Sequence, residues 1–286
     1  MINYCFTISD IKISLNSDYE CILTDNFKPF LSNDYYDYYI EFKEVSQLPS
    51  IPKDIIYKSR SYCIASDGND IHRYFYDGVH NNHYYAKGTY DLNNKYILIE
   101  YIPYGYRFIN ETINSFFHIA LEAILMNEQR MILHSTCINT HIGGILFAGE
   151  SGAGKSTQAD LWIKYENAYL INGDKTIIYQ DGCFKGYGSP YAGSSRCYRD
   201  ECCDIKAIVL PKKSVHNSIR RLDTREAFKK IYSHMTINAW DEIFVNKACD
   251  FIMNLIEHIP VYELSCTKDR NAVECLKIQL LKDLYE

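Results

Sequence analysis

No apolar run in this chain approaches the roughly 18 to 20 residues that a membrane-spanning helix requires. An excess of basic residues is missing too, and so is a basic-then-apolar stretch at the start. The first absence argues against a helical anchor, so a soluble chain with no membrane partner is expected. The second, 30 Lys+Arg against 36 Asp+Glu for a net charge of −6, removes the electrostatic footprint of a nucleic-acid binder. The third leaves no sign of a secretory leader. The 11 cysteines are scattered through 286 residues rather than set in a disulfide framework, which predicts a reduced, cytoplasmic protein. Hydrophobic residues, at 47%, suffice for one large domain or two modest ones.

Residues 1–108 are read as a β-rich accessory region. Short β-branched and aromatic runs at 6–8, 11–15, 38–42 and 96–101 predict strands. Turn formers separate them: Asp67, Gly68, Asn69 and Asp70, then Asp77 with Gly78, and Pro49, Pro52 and Pro103. His72, His80 and His83 have irregular spacing in polar surroundings and predict a solvated loop rather than a metal site. The 26 tyrosines have no functional reading.

Residues 109–286 carry the chemistry. Residues 113–126 are apolar almost all round and predict a buried helix opening this half. A strand over 130–138 follows, then a turn at 139–143. Next comes ILFAGESGAGKST at 145–157, an apolar strand running into a Gly-rich turn and a helix. Gly149, Gly154, Lys155 and Ser156 fit G-x-x-x-x-G-K-[ST], in which backbone N–H groups curl around a polyphosphate. The helix start adds positive dipole, Lys155 adds a charge reaching the β/γ-phosphates, and Ser156 would ligate Mg²⁺. The nucleotide-binding set is Gly149, Ser151, Gly152, Ala153, Gly154, Lys155, Ser156 and Thr157. The hairpin of 130–148 brings His134 near this loop, as a packed residue or a functional one.

Residues 168–171 predict the next strand, followed by Asn172, Gly173 and Asp174. An acid at such a strand end can hold Mg²⁺ or take a proton from an attacking hydroxyl, or it can serve an Asx turn. A hairpin is predicted over 176–187. Residues 186–196 read as a loop, in which Arg196 or Arg199 would stabilise charge on a transferring phosphoryl group or would be solvated surface arginines. Cys183, Cys197, Cys202 and Cys203 lack zinc spacing. Further on, a strand over 205–210 is ended by Pro211 and another covers 218–222. A helix then starts at a capping box of Asp223 and Glu226. A long helix over 240–258 has Trp240, Ile243, Phe244, Phe251, Ile252 and Leu255 inward, and a last strand and helix close the chain. Lys212, Lys213, Arg220 and Arg221 form a basic cluster read as a solvated face. The guanine-reading N-K-x-D pattern is broken at Asn246, Lys247, Ala248 and Cys249.

Leu133 with His134, the run GILFAGESGAGKST at 144–157 and LINGD at 170–174 resemble the catalytic domain of bacterial HPr kinase/phosphorylase, a family related in fold to ATP-dependent phosphoenolpyruvate carboxykinases. The resemblance covers roughly residues 132–174. It implies an α/β phosphate-loop kinase core behind the β-rich first region. Lys155 would bind phosphate, Ser156 and Asp174 metal, Asp174 would act as general base, and His134 would lie beside the reacting phosphoryl. Gly173 stands where that family has the first of two aspartates, and the family's later region for recognising HPr is not found. The resulting expectation is a kinase using ATP and Mg²⁺ to phosphorylate a hydroxyl of a peptide, protein or small molecule, with Lys155, Asp174, His134 and Arg196 catalytic and self-association into a homo-oligomer left open. The alternative is a regulatory or scaffold protein that binds ATP without transferring phosphate.

Overall fold

The computed structural model describes residues 2–33, 35–68, 70–78 and 83–285. It is a mixed α/β structure, about 29% helix and 39% strand, with two large sheets. The chain divides into two compact units, Met1–Ile124 and Leu125–Glu286.

The first unit contains one eight-stranded sheet. Its strands are β1 (Ile2–Ile8), β2 (Ile11–Ser17), β3 (Tyr38–Glu44), β4 (Asp54–Lys58), β5 (Tyr62–Ser66), β6 (Ile71–Tyr76), β7 (Tyr84–Asp91) and β8 (Tyr96–Tyr101), in the order β1-β2-β3-β8-β7-β6-β5-β4. β3 is parallel to both β2 and β8, and all other neighbours are antiparallel. Seventeen of the 26 tyrosines lie in this unit. Six of them, Tyr19, Tyr38, Tyr74, Tyr76, Tyr85 and Tyr101, are core material, and buried hydroxyls find partners: Tyr19 donates to the Ile109 carbonyl (2.9 Å) and Tyr101 to Asp18 (2.6 Å).

The expected single helix over 113–126 is two: α1 (Thr112–His118) and α2 (Leu121–Asn127). Ala120 between them has φ 53°, a left-handed residue no α-helix can contain. Phe117, expected inside, is 46% exposed. His72 is not in a loop but in β6, buried, with Nε2 3.2 Å from Asp67 Oδ2 and Nδ1 3.1 Å from Thr89 Oγ1. His80 and Asn69 lie outside the described residues.

The second unit contains β9 (Arg130–Thr140), β10 (Gly143–Ala148), α3 (Lys155–Glu166), β11 (Tyr169–Asn172), β12 (Lys175–Asp181), β13 (Cys183–Tyr187), β14 (Cys202–Lys213), β15 (Ser218–Arg221), α4 (Thr224–His234), α5 (Glu242–His258), β16 (Val261–Cys266) and α6 (Arg270–Tyr285). The strand order is β10-β9-β12-β13-β14-β16-β15, and β10 also pairs with β14 in parallel, so β9, β12, β13, β14 and β10 close a ring. The ring is tight. The Cys137 and Cys203 sulfurs are 3.7 Å apart, and a Cβ on Gly144 would come within 2.5 Å of Cys203 Sγ.

β10 alternates between two cores. Ile145 and Phe147 pack in a cluster with Trp162 of α3 and Leu276 of α6, while Leu146 and Ala148 join one with Ile231 of α4 and Ile252 of α5. Pro211 does not end its strand. β14 pairs with β10 only as far as Val209, so Pro211, opposite Leu264 of β16, lies where one side has no ladder partner to miss an N–H. Asp223 caps α4 as predicted, accepting from the Glu226 N–H at 2.8 Å. α5 starts later than expected, with Asp241 as its cap, and Ile243 points outward, 69% exposed. All 11 cysteines are free thiols. Among the described residues no helix is long and apolar enough to cross a membrane.

His118 of the first unit is 1% exposed. Its Nδ1–H donates to the Asn114 carbonyl (2.7 Å) and its Nε2 accepts from the Tyr85 hydroxyl (3.0 Å). Burial is the main cause of a pKa pushed down to about 4 from the ordinary 6.5, and Arg73 adds to it. The unfolded chain therefore takes the proton first on acidification. The stabilisation from neutral His118 is complete above pH 6.5 and is lost as pH falls towards 4, on the order of 3 kcal/mol in all. Ring-proton NMR should find this imidazole still neutral at pH 5.5; titration near pH 6.5 would refute the assignment.

Candidate active site

The segment 149–154 joins β10 to α3, the strand–loop–helix order anticipated for a phosphate loop. Gly149, Gly152 and Gly154 have φ values of 145°, 80° and 111°, a region that side chains rarely enter. Gly154 is the N-cap of α3 and offers no side-chain cap, so the first N–H groups of the helix stay open to an anion. Lys155 is 8% exposed. Its Nζ donates to the carbonyls of Gly149 (2.7 Å) and Glu150 (3.2 Å) and lies 3.4 Å from His134 Nε2. Burial pushes this ammonium pKa down, opposed by the Asp174 carboxylate.

Asp174 follows the end of β11. That strand pairs with β9 rather than with β10, so the acid approaches the loop from across β9. β11 and β12 run one after the other along the same strand: Asn172 pairs with Cys137, and Lys175 with His134. Gly173 and Asp174 form the interruption between them. His134 Nε2 lies 2.9 Å from Asp174 Oδ1, with both side chains part-exposed.

Asn172, which the sequence reading passed over, builds this interruption. It is fully buried. Its Oδ1 accepts from the N–H groups of Asp174 (2.9 Å) and Lys175 (2.8 Å). Its Nδ2 donates to the Ser189 carbonyl (3.2 Å) and the Tyr191 carbonyl (3.3 Å). One side chain thus sets both the Asx turn that carries Asp174 and the loop beyond β13.

Gly173 has a steric reason. A Cβ there would meet Ser195 Oγ at 2.0 Å, Ser195 Cβ at 2.5 Å and the Ala192 carbonyl at 2.9 Å. The loop around 193–195 fills the space that a second aspartate would need.

A cavity of about 510 Å³ lies over these groups. Of the predicted phosphate-loop set, Ser151, Gly152, Gly154, Lys155, Ser156 and Thr157 line it, together with His134 and Asp174. Gly149 contributes its carbonyl to Lys155, and the Ala153 N–H closes the loop on the Glu150 carbonyl at 3.1 Å; neither lines the cavity. Arg196 is exposed and outside the lining. Arg199 is engaged elsewhere, donating to the Tyr169 hydroxyl (2.8 Å) and Cys197 Sγ (3.3 Å). The added cations are instead Lys213, read from sequence as part of a solvated face, and Lys268, which no motif marked.

His234 was also missed. Met235 forms an isolated antiparallel bridge with Leu133, and the Thr236 N–H donates to the Ile132 carbonyl at 2.9 Å. This bridge brings the C-terminal end of α4, with His234, close to His134. Burial holds the His234 imidazole below its ordinary pKa, with further lowering from His134 and Lys155 and opposition from Glu150.

No protein-family model matches the chain, and no curated protein matches it.

The packing around Gly173 has a measurable consequence. Gly173→Ala should cost about 1 to 3 kcal/mol by overpacking, read as a shift in urea midpoint, and Ser195→Gly in the same chain should recover part of the loss. An unchanged midpoint in the single variant would show that the loop yields freely.

Proposed function

We propose that the Leu125–Glu286 unit is an ATP-dependent phosphotransferase of the HPr-kinase-like type, which moves the γ-phosphoryl group to a hydroxyl of a peptide, protein or small molecule. The observation that carries this reading is the 2.9 Å approach of His134 to Asp174 on a cavity also lined by Lys155 and Ser156. A part-exposed carboxylate oriented by an imidazole and by the Asn172 turn is what a general base for an acceptor hydroxyl requires.

Asp174 accepts the proton of the acceptor hydroxyl as its oxygen bonds to the γ-phosphorus and the bond to the β-phosphate oxygen breaks, leaving ADP. His134 fixes one carboxylate oxygen, which leaves the other for that proton or for a metal ion, not for both. Lys155 turns from the loop carbonyls to neutralise charge on the β- and γ-oxygens, and the open N–H groups of α3 do the same. The donor set fits Mg²⁺: Ser156 hydroxyl and Asp174 carboxylate are hard oxygen ligands on one cavity. When bound there, the ion would supply charge neutralisation on the phosphates.

The second reading, an ATP-binding regulator without transfer, is favoured by one fact: Asp174 is the single carboxylate among the described residues lining the cavity. Labelled ATP with candidate acceptors separates the two, since only the kinase gives a phosphorylated hydroxyl.

Asp174→Asn should leave the fold and most ATP affinity intact while transfer falls by on the order of 10² to 10⁴. Transfer at the wild-type rate would remove Asp174 from the mechanism, and loss of binding together with transfer would make it a metal ligand. Lys155→Ala should weaken ATP binding by about 10- to 100-fold, as loss of a charged hydrogen bond predicts; unchanged calorimetric binding would sink the phosphate-loop reading. Ser156→Ala should weaken binding in Mg²⁺ but hardly without it, and equal losses in both conditions would refute its role as a ligand.

A further inference from the structure

β10, β14 and β16 are mutually parallel, so their carboxyl ends share one edge of the sheet, the edge where open α/β sheets bind ligands. They do not end level. β10 is paired with β14 at Phe147 and Val209 and stops at Ala148, whereas β14 continues to Lys213, paired there with Cys266 at the end of β16. Four further residues at the strand rise carry β14 about 13 Å beyond that last pair. The two longer strands therefore stand as a wall beside the phosphate loop. The position of a Cβ on Gly154 is 3.9 Å from Pro211 Cβ, so the loop leans on this wall.

The wall is tied to the loop's own helix. Gln158, in the first turn of α3 and 1% exposed, donates from Nε2 to Cys266 Sγ (3.2 Å) and the Thr267 carbonyl (3.3 Å). The Thr267 N–H donates to Asn217 Oδ1 (2.9 Å), and its hydroxyl to Asp269 Oδ1 (2.9 Å). The backbone that carries Lys268 is thus fixed on both sides. β14, which carries Lys213, and β9, which carries His134, flank β10 on opposite sides, and Asp174 and Ser194 line the cavity with His134. One wall offers two ammonium groups with no acid beside them in the lining. The other offers the only carboxylate among the described lining residues.

We propose that Lys213 and Lys268 form the nucleoside-side half of the phosphate site and give the bound nucleoside triphosphate its direction, the α-phosphate against these two lysines and the terminal phosphate towards His134 and Asp174. They are specificity-determining groups: a ligand needs more phosphate chain than the loop itself cradles in order to reach them. This rests on the phosphate-loop reading above. These lysines, delivered by the strand ends, take a different place from the one expected of Arg196, which lies outside the cavity lining.

The test compares ATP with pyrophosphate, which fills the loop but does not extend to the wall. Both lysines are exposed, so the variant carrying Lys213→Gln and Lys268→Gln should fold as the wild type. Its ATP affinity by calorimetry should fall about 5- to 30-fold, the size expected for two solvent-screened ion pairs, while pyrophosphate affinity changes less than about half as much on a logarithmic scale. ATP binding within twofold of wild type would overturn the proposal. Equal losses for ATP and pyrophosphate would also overturn it, because the lysines would then act only as a diffuse field. Lys155→Ala separates the two levels: unchanged ATP binding in that variant refutes the phosphate-loop reading itself, whereas loss there with an unaffected double variant refutes only the assigned direction.

Discussion

β9 changes partners at one point, and the second unit is arranged around that change. Residues up to His134 pair with β12 on one side; from Ser135 onward the strand pairs with β10 on the other. The interruption between β11 and β12 falls opposite the same point, where the Ser135 N–H still holds the Asp174 carbonyl at 2.9 Å and Thr136 Oγ1 donates to the Gly173 carbonyl at 3.0 Å. A ladder that switched partners elsewhere would separate the imidazole, the carboxylate and the loop lysine. Because the pairings of β9 with β11 and β12 are in register to single residues, His134 and Asp174 are brought together by backbone hydrogen bonds.

This placement also explains why a glycine precedes Asp174. The turn at Gly173 is pressed from above by the short helical segment Gly193–Ser195, which itself approaches the Asp174 side chain: a Cβ on Gly193 would sit 3.0 Å from Asp174 Cβ. Close packing of backbone over the carboxylate limits its rotamers and shields one side from solvent. A second acidic side chain would add negative charge but would push away the loop that orients the first.

The strand, glycine turn and helix at 144–166 were legible in the sequence because the residue types answer to backbone needs: glycine where φ is positive, and Lys and Ser where the helix begins. Asp174 was legible from its place after a strand end, His134 from the hairpin that runs into the loop, and most strands from their β-branched, aromatic or apolar runs. What escaped depends on contacts distant in sequence. His234 reaches the site through a bridge between residues about a hundred positions apart, Leu133 and Met235. Lys213 arrives because β14 runs through a proline that local rules read as a stop, and Lys268 because a buried glutamine on α3 holds its turn. Arg196 was chosen for its loop alone, and the loop turns it outward. The break at Ala120 had no glycine or proline to announce it.

The ring of five strands has too little girth to enclose anything. Barrels of about eight strands only just fill with side chains, and here two cysteine sulfurs and a glycine without room for a methyl group occupy the middle. A solid hub of this kind cannot host a substrate or relay one through its axis. On the kinase reading proposed above, differences in acceptor would be written at the rim, in the segments 149–154, 188–200 and 267–269, and not in the strands beneath them.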